Sequence, residues 1–164
     1  MATMYGVMIT LSPKRLAQIE GDPETLADVL EARHETEIPG LLDLGVTWDA
    51  LDVIYSDRGK DAILGDAVLG RSSRKLEGDE TSYQSARVID AKRVGEIAKK
   101  LEELGPAHVK ERYAALATAK VHGNLGAKPD DEEREGLQII AKRLIALYKD
   151  AAKQSHQMLV MIVD

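Results

Sequence analysis

Met158-Leu-Val-Met-Ile-Val163 decides the fold. It is a continuous apolar run, and such a run near the end of the chain is stable only as a buried strand. At the other end, Tyr5-Gly-Val-Met-Ile-Thr-Leu11 is equally short, rich in β-formers and stopped by Ser12-Pro13. It reads as a second, mostly buried strand. Both runs are apolar on both faces, so each needs cover on both. The economical solution sets them side by side in the middle of a small sheet with helices packed around it. The expected fold is α+β: a small central sheet that includes the N- and C-terminal strands, surrounded by about six helices. Residues 1–164 read as one domain, because no repeat, low-complexity tract or shift in composition marks a second.

Between the two strands the punctuation is helical. Ser12 caps a short helix with Pro13 at its first position, and Gly21 ends it. Asp22-Pro23-Glu24 opens another, with Leu26, Val29 and Leu30 as its apolar face. From Glu35 to Gly45 the pattern is broken by Pro39-Gly40, which predicts a linker or short helix with Leu41, Leu42 and Leu44 tucked inward. Thr47 reads as the cap of a third helix, on which Trp48, Leu51, Ile54 and Tyr55 share a face. Ala62 to Leu69 is a short helical turn closed by Gly70, and Arg71 to Asp79 read as an exposed polar loop. Tyr83 to Ile89 is expected to be extended. Asp90 caps a strong helix, Gly105-Pro106 separates it from the next, and Val121 to Gly126 form a loop. The longest helix runs from about Pro129 to Gln154, with acidic residues in its first turn that suit the positive helix end.

Composition removes several function classes. The chain of 164 residues has no cysteine, which excludes disulfides, thiolate zinc sites and cysteine nucleophiles. Its net charge is −6, and the basic residues are interspersed with acids, as in Lys99-Lys100-Leu101-Glu102-Glu103. With no phenylalanine and one tryptophan, it offers neither the basic stripe nor the stacking platform of a nucleic-acid binder. No stretch approaches the roughly 18 apolar residues of a membrane span, and no targeting segment is visible, so the expected location is cytoplasmic. There is no G-x-S-x-G, H-E-x-x-H or G-x-G-x-x-G. The four histidines, His34, His108, His122 and His156, lack zinc-ligand spacing. No metal and no cofactor is expected.

Three segments together carry a family resemblance: Trp48-Asp-Ala-Leu-Asp-Val-Ile-Tyr55, then Ile63-Leu-Gly-Asp-Ala-Val-Leu-Gly70, then Tyr83-Gln-Ser-Ala-Arg-Val-Ile89. The last is followed by a cap and a helix ending in Lys100-Leu-Glu-Glu-Leu104. In that order, with an apolar strand after a long helix, the chain resembles the YfbM-like family of bacterial proteins, a domain of unknown function. The resemblance covers nearly the whole chain. It implies an α+β fold and a bacterial cytosolic setting, and it implies no reaction. Members commonly carry a histidine where this chain has Asp52, often a glycine where it has Ser85, and a tyrosine-proline pair where it has His122-Gly123.

The polar positions that stand out are Trp48, Asp49, Asp52, Tyr83, Arg87 and His122. Asp49 and Asp52, three apart on one helix face, suit acid–base work or a divalent cation, and equally suit a helix N-terminus. Trp48, the single tryptophan, fits a pocket, an interface or a core. Arg87 lies inside an apolar segment behind Tyr83 and needs carboxylate partners if buried, with Asp49 and Asp52 as candidates. His122 sits in a glycine-containing loop. Arg71, Ser72, Ser73, Arg74 and Lys75 suggest either an anion cradle or a solvated loop. Two functions follow as expectations. One is a non-enzymatic binding protein that recognises a protein partner or small ligand through a groove near residues 48–55 and 83–87. The other is a small enzyme with an acid–base cleft built from Asp49, Asp52, Arg87 and His122. A homodimer is expected where a small sheet leaves an apolar face to be covered.

Overall fold

The two terminal runs are strands, and they pair with each other. The computed structural model describes residues 3–76 and 84–164. In chain order the first half holds β1 (Tyr5–Leu11), α1 (Pro13–Gly21), α2 (Pro23–Ala32), β2 (Leu41–Gly45), α3 (Trp48–Ser56), α4 (Asp66–Leu69) and β3 (Arg74–Lys75). The second half holds β4 (Gln84–Ile89), α5 (Ala91–Leu104), α6 (Ala107–Arg112), α7 (Leu116–Ala119), α8 (Asp131–Lys153) and β5 (Gln157–Val163), with 3-10 turns at Tyr113–Ala115 and His122–Asn124. Among the described residues α4 and α7 are single four-residue turns, and the other six helices are longer.

The sheet runs β2-β1-β5-β4-β3, with every neighbouring pair antiparallel. β1 and β5 pair over their full length, from Tyr5 opposite Val163 to Leu11 opposite Gln157. Alternation along the strands divides the core in two. Val7, Ile9, Leu11, Leu159, Met161 and Val163 face Leu16, Ile19, Leu26 and Leu30 of α1 and α2. Met8, Met158, Val160 and Ile89 face the opposite way, where Leu51, Ile54, Val94, Ile97, Leu137 and Leu144 of α3, α5 and α8 close over them. Cover on both sides is why β5 is an unbroken apolar run rather than an alternating one.

The caps expected at Ser12, Asp22 and Asp90 are in place, and Asp130 caps α8 as well. Asp90 accepts the N–H of Arg93 at 2.8 Å, and Asp130 accepts that of Glu132 at 2.9 Å. Thr47 precedes α3 without capping it; its hydroxyl donates to the Leu44 carbonyl at 2.6 Å instead.

Two segments depart from expectation. Residues 41–45 are not a linker or helix but the edge strand β2, with Leu44 1% exposed. Gly40, at φ +79°, turns the chain back along β1, and the Thr10 N–H donates to its carbonyl at 2.8 Å. One edge of this apolar stretch is thereby hydrogen-bonded to β1, far away in sequence, a pairing that local pattern does not carry. The loop expected from Arg71 onward also contains structure. Arg74 and Lys75 pair with Val88 and Arg87, and the next residue, Leu76, is buried in the α1–α2 core.

Candidate functional site

The N-terminus of α3 lies against β1, and Gly6 is what allows it: a Cβ there would stand 2.6 Å from the Cβ of Trp48. Trp48 Nε1 donates to the Met4 carbonyl at 3.0 Å. The loop after α7 arrives at the same place. His122 Nε2 accepts the Met4 N–H at 3.1 Å, which requires the neutral ring with its proton on Nδ1. Its ring packs against Trp48 with centroids 5.4 Å apart, tilted by 30°. Its own backbone N–H donates to Asp49 Oδ2 at 2.8 Å, which also meets Arg58 Nη2 at 3.3 Å. Three of the six singled-out residues therefore converge. What they hold is the residue leading into β1, and the carboxylate and imidazole are both engaged in holding it.

Asp52 belongs to a second group. It is 1% exposed and takes both arms of Arg71, Nη1 to Oδ1 and Nη2 to Oδ2, each at 2.6 Å. Ser56 Oγ donates to Oδ1 at 2.8 Å and itself accepts the Gly59 N–H at 3.0 Å. A fork-to-fork pair of this kind fixes the guanidinium plane as well as its charge. Arg71 Nη1 also donates to the Gly65 carbonyl at 3.2 Å. Hydrogen bonding to Asp52, with Coulombic support from Asp52, Asp49 and Asp66, holds the Arg71 guanidinium above its ordinary pKa despite partial burial. The partner of Asp52 is thus Arg71 and not Arg87.

Arg87 is half-buried on β4. Its Nη1 donates to the Ser73 carbonyl at 2.9 Å. Its stem supports the end of α4: Gly70, at φ +59°, rests so close that a Cβ would stand 2.7 Å from Arg87 Cβ and 3.0 Å from Val160 Cγ2. Arg71 follows Gly70 directly, so the glycine cap brings the two arginines to one place. They line a cleft of about 230 Å³ whose walls include Val68, Leu69, Val160 and Ile162. The four residues of the expected acid–base cleft, Asp49, Asp52, Arg87 and His122, are therefore not gathered into one site. Trp48, Asp49 and His122 form one group, Asp52 fixes Arg71, and Arg87 shares a cleft with Arg71. Tyr83 lies outside the described residues.

The buried acid that the sequence reading passed over is Asp66, 0% exposed in the apolar run Ile63–Leu69. It accepts the Ser72 N–H at 2.6 Å and the Ser72 hydroxyl, and it meets Arg93 Nε at 3.3 Å. The anion cradle considered for the loop after Gly70 has its Ser72 donors on this carboxylate. A charged residue inside an otherwise apolar helical turn was the available signal. Nearby, the Tyr148 hydroxyl donates to the Ala67 carbonyl; burial, with Asp66, pushes its pKa well above the ordinary value. A second, polar cleft of about 210 Å³ lies beyond this pair, lined by residues including Ser72, Arg74, Asp90, Arg93 and Gln157. Among the described residues, no group of three or more His, Asp or Glu side chains is placed to hold a metal ion, and no helix is long and apolar enough to cross a membrane.

Comparison with known proteins agrees with this fold. The model of a family described as a domain of unknown function (DUF1877) matches residues 2–161. Among solved structures, the chain is similar to the crystal structure of a protein of unknown function, YfbM from Escherichia coli. The two share 18% identity over 97% of this chain and 99% of that one, with a TM-score of 0.65. At that identity the likeness speaks for the fold alone. No curated protein matches the chain.

Proposed function

We infer that this chain, which belongs to the DUF1877 family of domains of unknown function, is a non-enzymatic binding protein of the bacterial cytosol whose recognition site is the cleft between α4 and the β4–β5 pair. One observation carries the reading. Two arginines, from a loop and a strand, meet at a concave site with aliphatic walls, and one of them is held in place by a buried carboxylate. Small-molecule sites are typically concave and largely apolar, with few but well-placed polar groups. Second-side support such as Asp52 gives Arg71 is what preorganises a polar contact.

The enzymatic alternative has less to stand on. A general base needs a free lone pair within reach of a substrate proton. His122 and Arg58 both engage Asp49 Oδ2 and leave only Oδ1, Arg71 and Ser56 engage Asp52, and the Met4 N–H takes His122 Nε2. The cleft's concavity also favours a small ligand over a flat protein surface.

The test is a fragment screen read by ¹H–¹⁵N correlation spectra of the labelled protein. Hits are expected to shift resonances of residues 68–71, 87 and 160–162 together. A screen whose hits all fall elsewhere on the folded chain would overturn the assignment.

A further inference from the structure

We propose that the ligand of this cleft is a small organic anion, a carboxylate on a short apolar body, received by Arg87 with the open edge of Arg71; the inference rests on the cleft being the binding site. The argument begins with charge. Low-exposure charges elsewhere in the molecule are paired: Asp52 with Arg71, Asp66 with Arg93, and Arg33 with Asp43. Arg87 is half-buried, yet among the described residues its guanidinium meets one backbone carbonyl and no carboxylate. A partly desolvated guanidinium with a single neutral acceptor is poorly compensated, and an anion entering beside it supplies what the fold does not.

Arg71 adds geometry rather than net charge. Asp52 neutralises it. The contacts to Asp52 and Gly65 engage three of its five N–H donors, both on Nη1 and one on Nη2. The Nε–H and one Nη2–H have no acceptor among the described residues, and the side chain is 34% exposed. Among the described residues the cleft therefore offers one guanidinium, Arg87, with no carboxylate partner, beside a second, Arg71. A monoanion matches that charge. A phosphate monoester shares the recognition chemistry but brings a second negative charge close to the Asp52 carboxylate. The remaining lining residues, Val68, Leu69, Val160, Met161 and Ile162, are apolar and suit a short hydrocarbon body. At roughly 30 Å³ per water, the cleft of about 230 Å³ has room for about eight waters. The ligand is accordingly smaller than the drug-sized molecules that fill larger pockets.

The experiment titrates wild type, Arg87→Met and Arg87→Lys with 4-methylpentanoate, its neutral amide, and inorganic phosphate. It follows the arginine Nε–H resonances and the thermal midpoint. In wild type the carboxylate is expected to bind at least tenfold more tightly than the amide and to shift the Arg87 Nε–H signal. Arg87→Met should lose tenfold or more in carboxylate affinity and leave the amide unchanged. Should Arg87→Met fail to fold, Arg87→Lys retains the charge and must show a smaller but measurable loss. Phosphate displacing the carboxylate at lower concentration would overturn the carboxylate head and leave an anion site. Equal binding of amide and carboxylate would overturn the anionic ligand while the cleft stands as a site. If no titrant moves the cleft although fragments bind there, the anion proposal fails; if fragments do not bind there either, the binding reading fails with it.

Discussion

Asp49 and Asp52 stand three positions apart on α3 and do unrelated work. Asp49 ties the His122 loop to the helix start, and Asp52 fixes Arg71. Their place on one helix face in a Trp-x-x-Leu segment was legible in the sequence; the burial of Asp52 and the partners of both were not. Arg87 drew attention as the candidate mate because it lies in an apolar strand. Arg71 wins because the left-handed cap at Gly70 swings it over α3, a consequence of backbone conformation that residue type does not announce. Replacing Asp52 by Ala strands the Arg71 guanidinium, while Ser56 Oγ keeps the carbonyl of residue 52 as its acceptor. We expect a loss of about 2–3 kcal/mol, toward the low end for a buried pair because Arg71 keeps contact with water. Urea unfolding measures it. Adding Arg71→Met to Asp52→Ala should recover part of the loss. A single Asp52→Ala chain within about 0.5 kcal/mol of wild type would contradict the assigned pairing.

At the scale of elements, capped helices were readable and paired strands were not. Ser12, Asp22, Asp90 and Asp130 cap as their residue types predict. β2 and β3 escaped notice because their hydrogen bonds go to distant partners and their sequences are short. One joint between elements carries a pH prediction. Asp61 precedes α4 and accepts the N–H groups of Ile63 and Leu64 at 3.0 and 2.9 Å, while Lys100 of α5 reaches its other oxygen at 2.9 Å. Burial pushes its pKa up, but the Leu64 and Ile63 N–H groups and Lys100 outweigh that and hold it below the ordinary carboxylate value. A carboxylate with a lowered folded pKa adds stability that is present above its unfolded pKa, near 3.9. That contribution fades as pH falls through the folded value. Asp61→Asn keeps an acceptor and removes the charge. It should be less stable than wild type at pH 7, and the gap should close as pH falls below about 4. Urea midpoints between pH 7 and pH 3 read this directly. A gap of constant size would assign the role of Asp61 to its hydrogen bonds alone.

At the scale of the molecule, the pairing of the two terminal runs was the most legible feature, because a strand apolar on both faces has few places to go. The helices cover both faces of the sheet, so a homodimer must find its apolar ground elsewhere. Ile139 is 56% exposed on α8, in a shallow surface cleft with Pro106 and Gln138. The expected homodimer is checked by light scattering: a clean monomer at working concentration would remove it. The sheet order also has a temporal consequence. β5 sits between β1 and β4, so a nascent chain holding the first four strands still has a gap at the centre of its sheet. The facing edges of β1 and β4 stay unpaired until residues 157–163 take their place between them. The sheet of this chain thus closes only when its fifth strand joins the other four.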